Sequence, residues 1–334
     1  MPEVATPHAP LQSKGPRLAL SRLVSAQMSG VIAALVVIFV VSCFLSPHFL
    51  TSFNMVIIAR SLAFVGLITI GQSMLLILGE LDLSVGAIGG LCGVVGGILM
   101  AQLGINPWLA LALCLLLGTA CGLLNGLLVT VLRLHSLVLT IGMAGVYGGA
   151  NLVVTKGVAI TGIPTSIGFL GRGMWLGLPV PFVVMLIALV VAAFVVFRTP
   201  FGRYIYAIGN NQAAARMLGI RVNTIRVIVF AIAGFLAALA GMLMVARLGT
   251  AQPSIGDVWV LPPIAASVIG GVATTGGVGS PVGAIFGAAI IEIIENIIVL
   301  FGVSPYWQSV VSGAIVVLAI SFDSISRRYF RRED

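Results

Sequence analysis

The chain alternates between long apolar runs and short polar interruptions. A helix needs about 20 apolar residues to cross a bilayer, and ten runs approach or reach this length. The predicted spans are 27–45, 53–78, 84–103, 107–131, 136–155, 177–197, 225–248, 258–273, 281–301 and 306–322. The run at 258–273 is short and contains two prolines. This pattern predicts an all-α fold, a polytopic membrane helix bundle with about ten transmembrane helices.

Glycines recur at four-residue spacing within several of these runs. Gly118, Gly122 and Gly126 form one such series. Small residues at this spacing let helix backbones approach closely in lipid, where the hydrophobic effect does not drive helix association. The series predicts tight helix packing and says little about a substrate.

The basic residues are concentrated in alternate interruptions and thereby predict an orientation. Short cytosolic loops retain Lys and Arg. With the N-terminus inside, 13 of the 17 Lys and Arg residues fall in cytosolic segments. We therefore expect a cytoplasmic tail at 1–26, a transmembrane domain at 27–325 and a basic cytoplasmic tail at 326–334.

Composition agrees with a membrane protein and excludes several other classes. Of the 334 residues, 60% are hydrophobic and only 8% are charged, against about 25% charged in soluble domains. The net charge of +8 comes from span ends, so we expect no nucleic-acid partner. Neither Lys14 nor Lys156 follows a glycine-rich turn, as a P-loop requires. No zinc-ligand spacing or nucleophile elbow is present, so we predict no catalytic residue, no metal site and no bound cofactor.

A polar island separates two apolar runs at 199–226. Its basic residues predict a cytosolic location, within a cytoplasmic loop at 198–224. Asn210 and Asn211 can cap a helix, the stretch 212–218 favours helix, and Gly219 suits a left-handed C-terminal position. A short surface helix held into the cytosol predicts a soluble partner there.

A second polar interruption, at 79–86, contains Glu80, Asp82 and Ser84. Carboxylates beside membrane spans are costly unless they face water, protein or a helix end. Asp82 or Ser84 could cap the following span at the cytosolic face. The alternative is a broken helix beside a transport path, whose free backbone groups face a polar solute.

Glu292, Glu295 and Asn296 interrupt the apolar run at 281–301. Glu292 and Glu295 are three residues apart and share a helix face. They could line a solute path, relay protons or form interhelical contacts. Arg60 could pair with Glu80, Glu292 or Glu295, and the sequence does not choose among them.

At this point several motifs resemble one family, the permease subunits of bacterial ATP-binding-cassette (ABC) importers for ribose-type sugars, a family that also includes branched-chain amino acid permeases. GELDLSVGA at 79–87 resembles the motif GGIDLSVGS of these proteins, and the stretch 199–220 resembles their cytoplasmic loop. The segments 248–284 and 301–320 resemble their later membrane regions in the same order. Three residues depart from the family pattern. Glu80 stands in place of a glycine, Ala213 in place of a glutamate and Glu295 in place of an asparagine.

The resemblance implies a permease subunit of the bacterial inner membrane that imports a monosaccharide. Its expected partners are a second permease chain, a cytosolic ABC ATPase that uses the ATP, and a periplasmic sugar-binding protein. The residues expected to couple to the ATPase are Gly202, Arg203, Asn211, Ala214, Ala215, Arg216 and Gly219. The residues expected along the translocation path are Gln72, Glu80, Asp82, Ser84, Asn125, Asn151, Glu292, Glu295 and Asn296.

Other functions remain to be distinguished from sugar import. A related permease could carry branched-chain amino acids or another small polar solute. A proton-coupled secondary transporter would use Glu292 and Glu295 as its relay. A membrane enzyme has no group of residues to support it.

Overall fold

The structure, a computed structural model, describes residues 16–304 and single positions between 307 and 321. Residues 1–15, most of the predicted span at 306–322 and the predicted tail at 326–334 lie outside the described residues. Within the described part, eight helices are long and apolar enough to cross a membrane. This confirms the all-α membrane bundle.

The elements follow one another along the chain as helices with one small hairpin. They are α1 (Pro16–Leu45), α2 (Ser52–Leu78), α3 (Val85–Gly97), α4 (Pro107–Leu132), α5 (Ser136–Thr155), α6 (Gly168–Arg172), β1 (Met174–Trp175), β2 (Leu178–Pro179), α7 (Val180–Arg198), α8 (Pro200–Asn210), α9 (Gln212–Met217), α10 (Val222–Leu248), α11 (Leu261–Ile269) and α12 (Pro281–Leu300). A π-helical turn (Ile98–Gln102) continues α3, and a 3-10 turn (Thr165–Ile167) precedes α6.

The prediction of a continuous span at 258–273 is wrong. Only the nine-residue α11 forms there, and turns precede and follow it. Pro262 and Pro263 are tolerated because they lie in the first turn of α11, where backbone N–H groups have no partner within the helix. Gly271, with φ +86°, lies in the turn that follows.

Helix α2 is the centre of the bundle. Every residue from Leu62 to Leu78 is buried, as expected of a helix that is apolar on all sides. Thr51 caps its start by accepting from the Asn54 N–H, and Gly79 ends it in the left-handed conformation. α10 packs across α2, α3 and α4, and its contact with α4 includes the predicted glycine series.

The peripheral helices α1, α5 and α7 expose much of their apolar surface. In a soluble protein such surfaces would mark interaction sites, but in lipid they need no polar cover. This distribution, with α2 and α10 inside and apolar faces outside, fits a helix bundle surrounded by membrane.

The segment between α5 and α7 contains structure that the sequence pattern did not predict. β1 and β2 form a short antiparallel hairpin after α6. The Arg172 side chain donates from Nε to the Arg247 carbonyl near the end of α10, at 2.9 Å. The Arg60 guanidinium donates to the Arg172 carbonyl, also at 2.9 Å. These bonds hold the segment against one end of the bundle.

The predicted surface helix in the polar island is confirmed as α9. Asn211 is its N-cap and accepts from the Ala214 N–H at 3.0 Å. Gly219 follows in the left-handed conformation, with φ +80°. Asn210 does not cap α9, because it is the last residue of α8, a helix that the sequence analysis treated as loop. The island therefore contains two short helices joined at Asn211, followed by the start of α10.

Candidate functional site

A cavity of about 1240 Å³ lies between α2, α10, α12 and the segment before α11. His48 and Thr51 lie on its wall next to the start of α2, and Leu300 lies there at the end of α12. Three residues predicted for the translocation path line this cavity: Glu292, Glu295 and Asn296. The sequence therefore located one wall of this cavity.

Helix α2 supplies the opposite wall from a single face. Asn54, Ile58, Ser61 and Val65 line the cavity at spacings of three or four residues, which places them on one side of a helix. The Asn54 side chain joins this wall to α12. It exchanges two hydrogen bonds with the Asn296 amide, at 2.9 and 2.8 Å.

Two aromatic rings and a guanidinium form a further part of the wall. The Arg247 guanidinium carbon lies 5.4 Å from the centre of the Phe64 ring, within the range of a cation–π interaction. Phe64 in turn stacks on Trp259, with ring centres 6.4 Å apart. Neither Arg247 nor Trp259 was predicted from the sequence. The signal that could have found them is the irregular segment 252–260, which contains Trp259 and follows Arg247 closely in the chain.

That segment enters the bundle without forming a helix. It follows Ala251, whose backbone pairs with Ile160. It then passes so close to α3 that a Cβ on Gly86 would meet the Gly256 carbonyl and a Cβ on Gly90 the Ile255 carbonyl. Irregular backbone at membrane depth is tolerated where it is buried in protein or lines a cavity. We call residues 252–260 the inserted segment.

A second cavity, of about 470 Å³, is also lined by the inserted segment. Helices α3 and α5 form its remaining walls. Asn151, a predicted path residue, lines it and donates to the Pro253 carbonyl at 2.7 Å. Asp257 lines both cavities, and its side chain is exposed. The inserted segment thus contributes to the walls of both cavities, and Asp257 is a candidate site residue that the sequence did not single out.

The loop at 79–84, which we call the junction loop, is not a cavity wall except at Leu83. Asp82 is fully buried and accepts from the Ser84 hydroxyl at 2.6 Å and from the Ser84 N–H at 2.8 Å. The Asn125 amide donates to both side chains, at 3.2 Å to Asp82 and 2.7 Å to Ser84. Tyr147 donates to the Asn125 oxygen at 3.0 Å. Asp82, Ser84 and Asn125 are predicted path residues, and with Tyr147, which was not predicted, they form a polar network that ties α3, α4 and α5 together.

The predicted capping role of this loop is only partly correct. Ser84 is the N-cap of α3 by position, but its side chain makes no capping hydrogen bond there. Asp82 instead accepts from the N-cap residue itself. The expectation that Arg60 could pair with Glu80 is also wrong, since the Glu80 partner is Arg226, with Nε donating to Oε1 at 2.6 Å.

Gln72 is the remaining residue predicted for the path, and it lines neither cavity. Val65 is the last α2 residue on the large cavity's wall. Gln72 is seven residues further along, which places it on the same helix face about 10 Å beyond Val65. Its side chain is fully buried, and both its amide nitrogen and its oxygen lack a hydrogen-bond partner among the described residues. A buried amide left unpaired costs about 1–3 kcal/mol and calls for an explanation.

The residues predicted to couple to an ATPase divide between two environments. Arg203, Asn211, Ala214, Arg216 and Gly219 are exposed on the surface of α8 and α9 or directly after it. Gly202 and Ala215 are buried and face the bundle, so they support the surface from below. The most exposed large apolar side chains on this surface, Met217 at 89% and Leu218 at 79%, are not among the residues predicted to couple.

The underside of α8 is fixed to the loop before α12. The Tyr206 hydroxyl donates to the Gly279 carbonyl at 2.7 Å, and the Asn210 amide donates to the Gly277 carbonyl at 3.3 Å. Burial raises the pKa of Tyr206 to about 12, so this donor stays protonated at physiological pH. These hydrogen bonds therefore hold α8 against the bundle.

Comparison with known proteins gives one family and several relatives. The family described as "Branched-chain amino acid transport system / permease component" matches residues 54–320. The chain is 39% identical to the ribose import permease protein of Bacillus subtilis (strain 168), over 89% of this chain and 92% of that protein. It is 37% identical to the ribose import permease protein of Escherichia coli (strain K12), over 89% and 94%. It is 35% identical to the autoinducer 2 import system permease protein of Photorhabdus laumondii, over 77% of each.

These findings agree with the expectations drawn from the motifs. The relatives are import permeases, which are transport components and not enzymes. The eight apolar helices and these relatives together indicate a multi-pass membrane protein.

Proposed function

The chain belongs to this permease family, and we propose that it is the membrane subunit of an ABC importer for a ribose-like monosaccharide. In this proposal it pairs with a second permease chain in the bacterial inner membrane, with both termini in the cytoplasm. It accepts the sugar from a periplasmic binding protein, and a cytosolic ATPase drives the transfer. The observation that carries the proposal is the exposed apolar tip of α9.

The tip is unusual because it lies outside the apolar bundle. Met217 and Leu218 end a short helix in the most basic loop of the described chain, where lipid does not cover them if the loop is cytosolic. Exposed apolar side chains on a polar surface mark a protein contact. An ATPase that binds α9 can exert force on the permease because Tyr206 and Asn210 fix the neighbouring helix α8 to the bundle.

The large cavity has the chemistry expected of a sugar site. It combines amide, hydroxyl and carboxylate groups with the aromatic rings of Phe64 and Trp259. A few polar groups on a mainly apolar wall are typical of small-molecule sites. Its polar groups can donate to and accept from sugar hydroxyls without requiring a charged solute.

The substrate class is tested by transport. The full-length permease is reconstituted into proteoliposomes with its own ATPase and binding protein, and uptake of labelled ribose is compared with that of labelled leucine. We expect ATP-dependent uptake of the sugar that survives an uncoupler. Uptake of leucine alone would assign the chain to amino acid import, and uptake that an uncoupler abolishes would assign it to proton-coupled transport.

The docking surface is tested separately with Met217→Asp and Leu218→Asp. Both place a charge where the partner is proposed to bury apolar surface, so we expect weaker co-purification of the ATPase and loss of uptake. Leu134→Asp is the matched control, because Leu134 is also an exposed apolar residue, at 45%, in another loop. Normal ATPase binding by both α9 variants would show that the tip is not the docking site.

A further inference from the structure

The ion pair between Glu80 and Arg226 is largely buried, with side chains 12% and 13% exposed. Its partners are 146 residues apart in sequence. Taking two charges out of water is costly, so a buried pair is weak evidence for stability and invites a specific role. Glu80 is also one of the positions where the chain departs from the motif it resembles.

Arg226 contacts more than Glu80. With its amide oxygen turned toward the guanidinium groups, Gln212 accepts from Arg226 at 2.9 Å and from Arg216 at 3.0 Å. Gln212 is the first residue of α9 and Arg226 lies in the first turns of α10. A single guanidinium therefore joins the proposed docking helix to the carboxylate of the junction loop.

The junction loop distributes this contact to the helices around the smaller cavity. Its Leu81 N–H donates to the Ser136 hydroxyl at 3.2 Å, and its Leu83 N–H donates to the Thr140 hydroxyl at 3.0 Å. Ser136 and Thr140 belong to α5, the helix that carries Asn151 on the cavity wall. α3 begins directly after the loop and forms another part of that wall.

We propose that Gln212, Arg226 and Glu80 form a coupling link that transmits the position of α9 to the junction loop and so to the walls of the smaller cavity. The link rests on the proposed docking of an ATPase at α9. Arg226 and Glu80 act as positioning residues, because they contact neither cavity. A displacement of α9 reaches Glu80 through two short polar contacts, and a charged pair resists separation in a buried setting.

The link is distinct from the attachment of α8. Tyr206 and Asn210 connect α8 to the loop before α12. Helix α12 itself forms a wall of the large cavity. Breaking the link should therefore impair coupling while the attachment of α8 and the large cavity remain intact.

The decisive variant is Gln212→Ala, which removes the contact with α9 and leaves the buried ion pair in place. In proteoliposomes with the ATPase and binding protein, we measure sugar uptake and ATP hydrolysis in the same sample. We expect the sugar moved per ATP hydrolysed to fall by about fivefold or more, the lower range of typical coupling between sites. The melting temperature of the permease should stay at the parent value.

Two further variants separate coupling from stability. Arg226→Gln should lower both the transport ratio and the melting temperature, since it leaves Glu80 buried without its counter-charge. Arg221→Gln, a change at an exposed arginine beside α10, should leave both unchanged.

A parent-like ratio of transport to hydrolysis in Gln212→Ala would refute the link and assign the ion pair a structural role only. That outcome is separable from failure of the proposed function. If the unmodified permease moves no sugar with ATP, the importer assignment is wrong, and the ratio has no meaning for any variant.

Discussion

Replacing Gln72 with methionine should stabilise the protein and slow transport. The buried amide has no partner among the described residues, which costs about 1–3 kcal/mol. Methionine has a similar length and no strongly polar atom, and it adapts to the shape of its surroundings. We therefore expect Gln72→Met to raise the free energy of unfolding by about 1–3 kcal/mol, seen as a higher melting temperature in detergent.

The energetic cost of burying the unpaired Gln72 amide is explained if Gln72 finds its hydrogen-bond partner only during transport. It continues the α2 face that lines the large cavity and lies about 10 Å beyond Val65. A sugar that moves inward along this face would meet the amide after leaving the cavity. Loss of one hydrogen bond, worth about 0.5–1.5 kcal/mol, should then lower the maximal uptake rate roughly two- to tenfold. The sugar concentration for half-maximal uptake should change little, because the cavity itself is intact.

Ser73→Ala is the matched control for this experiment. Ser73 is a buried polar residue on the same helix, but its hydroxyl already donates to the Ile70 carbonyl at 2.7 Å. Its removal should not raise stability and should leave the uptake rate near the parent value. If Gln72→Met transports sugar at the parent rate, the role on the path is wrong. If Gln72→Met melts at a lower temperature than the parent, the amide has a structural partner and the reasoning from its burial fails.

Three further predictions follow from the contacts. Gly122→Ala should destabilise the bundle by about 1–3 kcal/mol and lower the melting temperature, because the new Cβ meets the backbone of α10. Gly142→Ala is the control, since no atom lies near its Cβ, and it should not lower the melting temperature. Asp82→Ala should lower the free energy of unfolding by about 1–3 kcal/mol, because it leaves the buried Ser84 N–H unpaired. Asp82→Asn should lower it less, because it keeps an acceptor. Thermal unfolding of both variants measures this, and equal losses of stability would contradict the prediction. The double change Glu292→Gln with Glu295→Gln should retain substantial ATP-dependent uptake at two external pH values, since a sugar importer needs no proton relay; complete loss in a correctly inserted protein would favour proton coupling.

The spans could be predicted because bilayer thickness sets the length of an apolar run. The predicted span at 136–155 has the same bounds as α5, and the others that formed differ from their helices by a few residues. α1 is the exception, because it starts at Pro16, ahead of its apolar run. The length of an apolar run alone does not predict a span correctly where the run is short and contains prolines. The run at 258–273 became a nine-residue helix after an inserted segment, and the close approach of that segment to Gly86 and Gly90 depends on tertiary packing.

The partners of charged residues could not be predicted for a different reason. Arg60 and Arg226 were both available to Glu80 by charge. The pairing with Arg226 depends on the junction loop and the start of α10 lying at the same end of the bundle. The Arg60 guanidinium instead donates to a carbonyl of a segment that the apolar pattern left unassigned. Charge patterns identify which residues need partners, and only the packing of the helices identifies the partners.

The surface of α8 and α9 shows the limit of motif reasoning most clearly. The capped helix and its left-handed glycine were predictable from local rules about Asn211 and Gly219. Local rules did not predict which side chains point outward. In the structure Ala215 faces the bundle, while Met217 and Leu218 face away from it and are exposed. The docking proposal therefore rests on side-chain exposure that a motif does not encode.

The inserted segment contributes to the walls of both cavities. Asp257 lines both cavities, so the segment that carries it cannot move without changing both at once. The large cavity is bounded by α12, whose preceding loop is fixed to α8. The smaller cavity is bounded by α3 and α5, which the junction loop connects to α9 through Arg226. Two separate sets of contacts thus lead from one exposed surface to two cavities that share the inserted segment. If a partner shifts that surface, we expect the shapes of both cavities to change together.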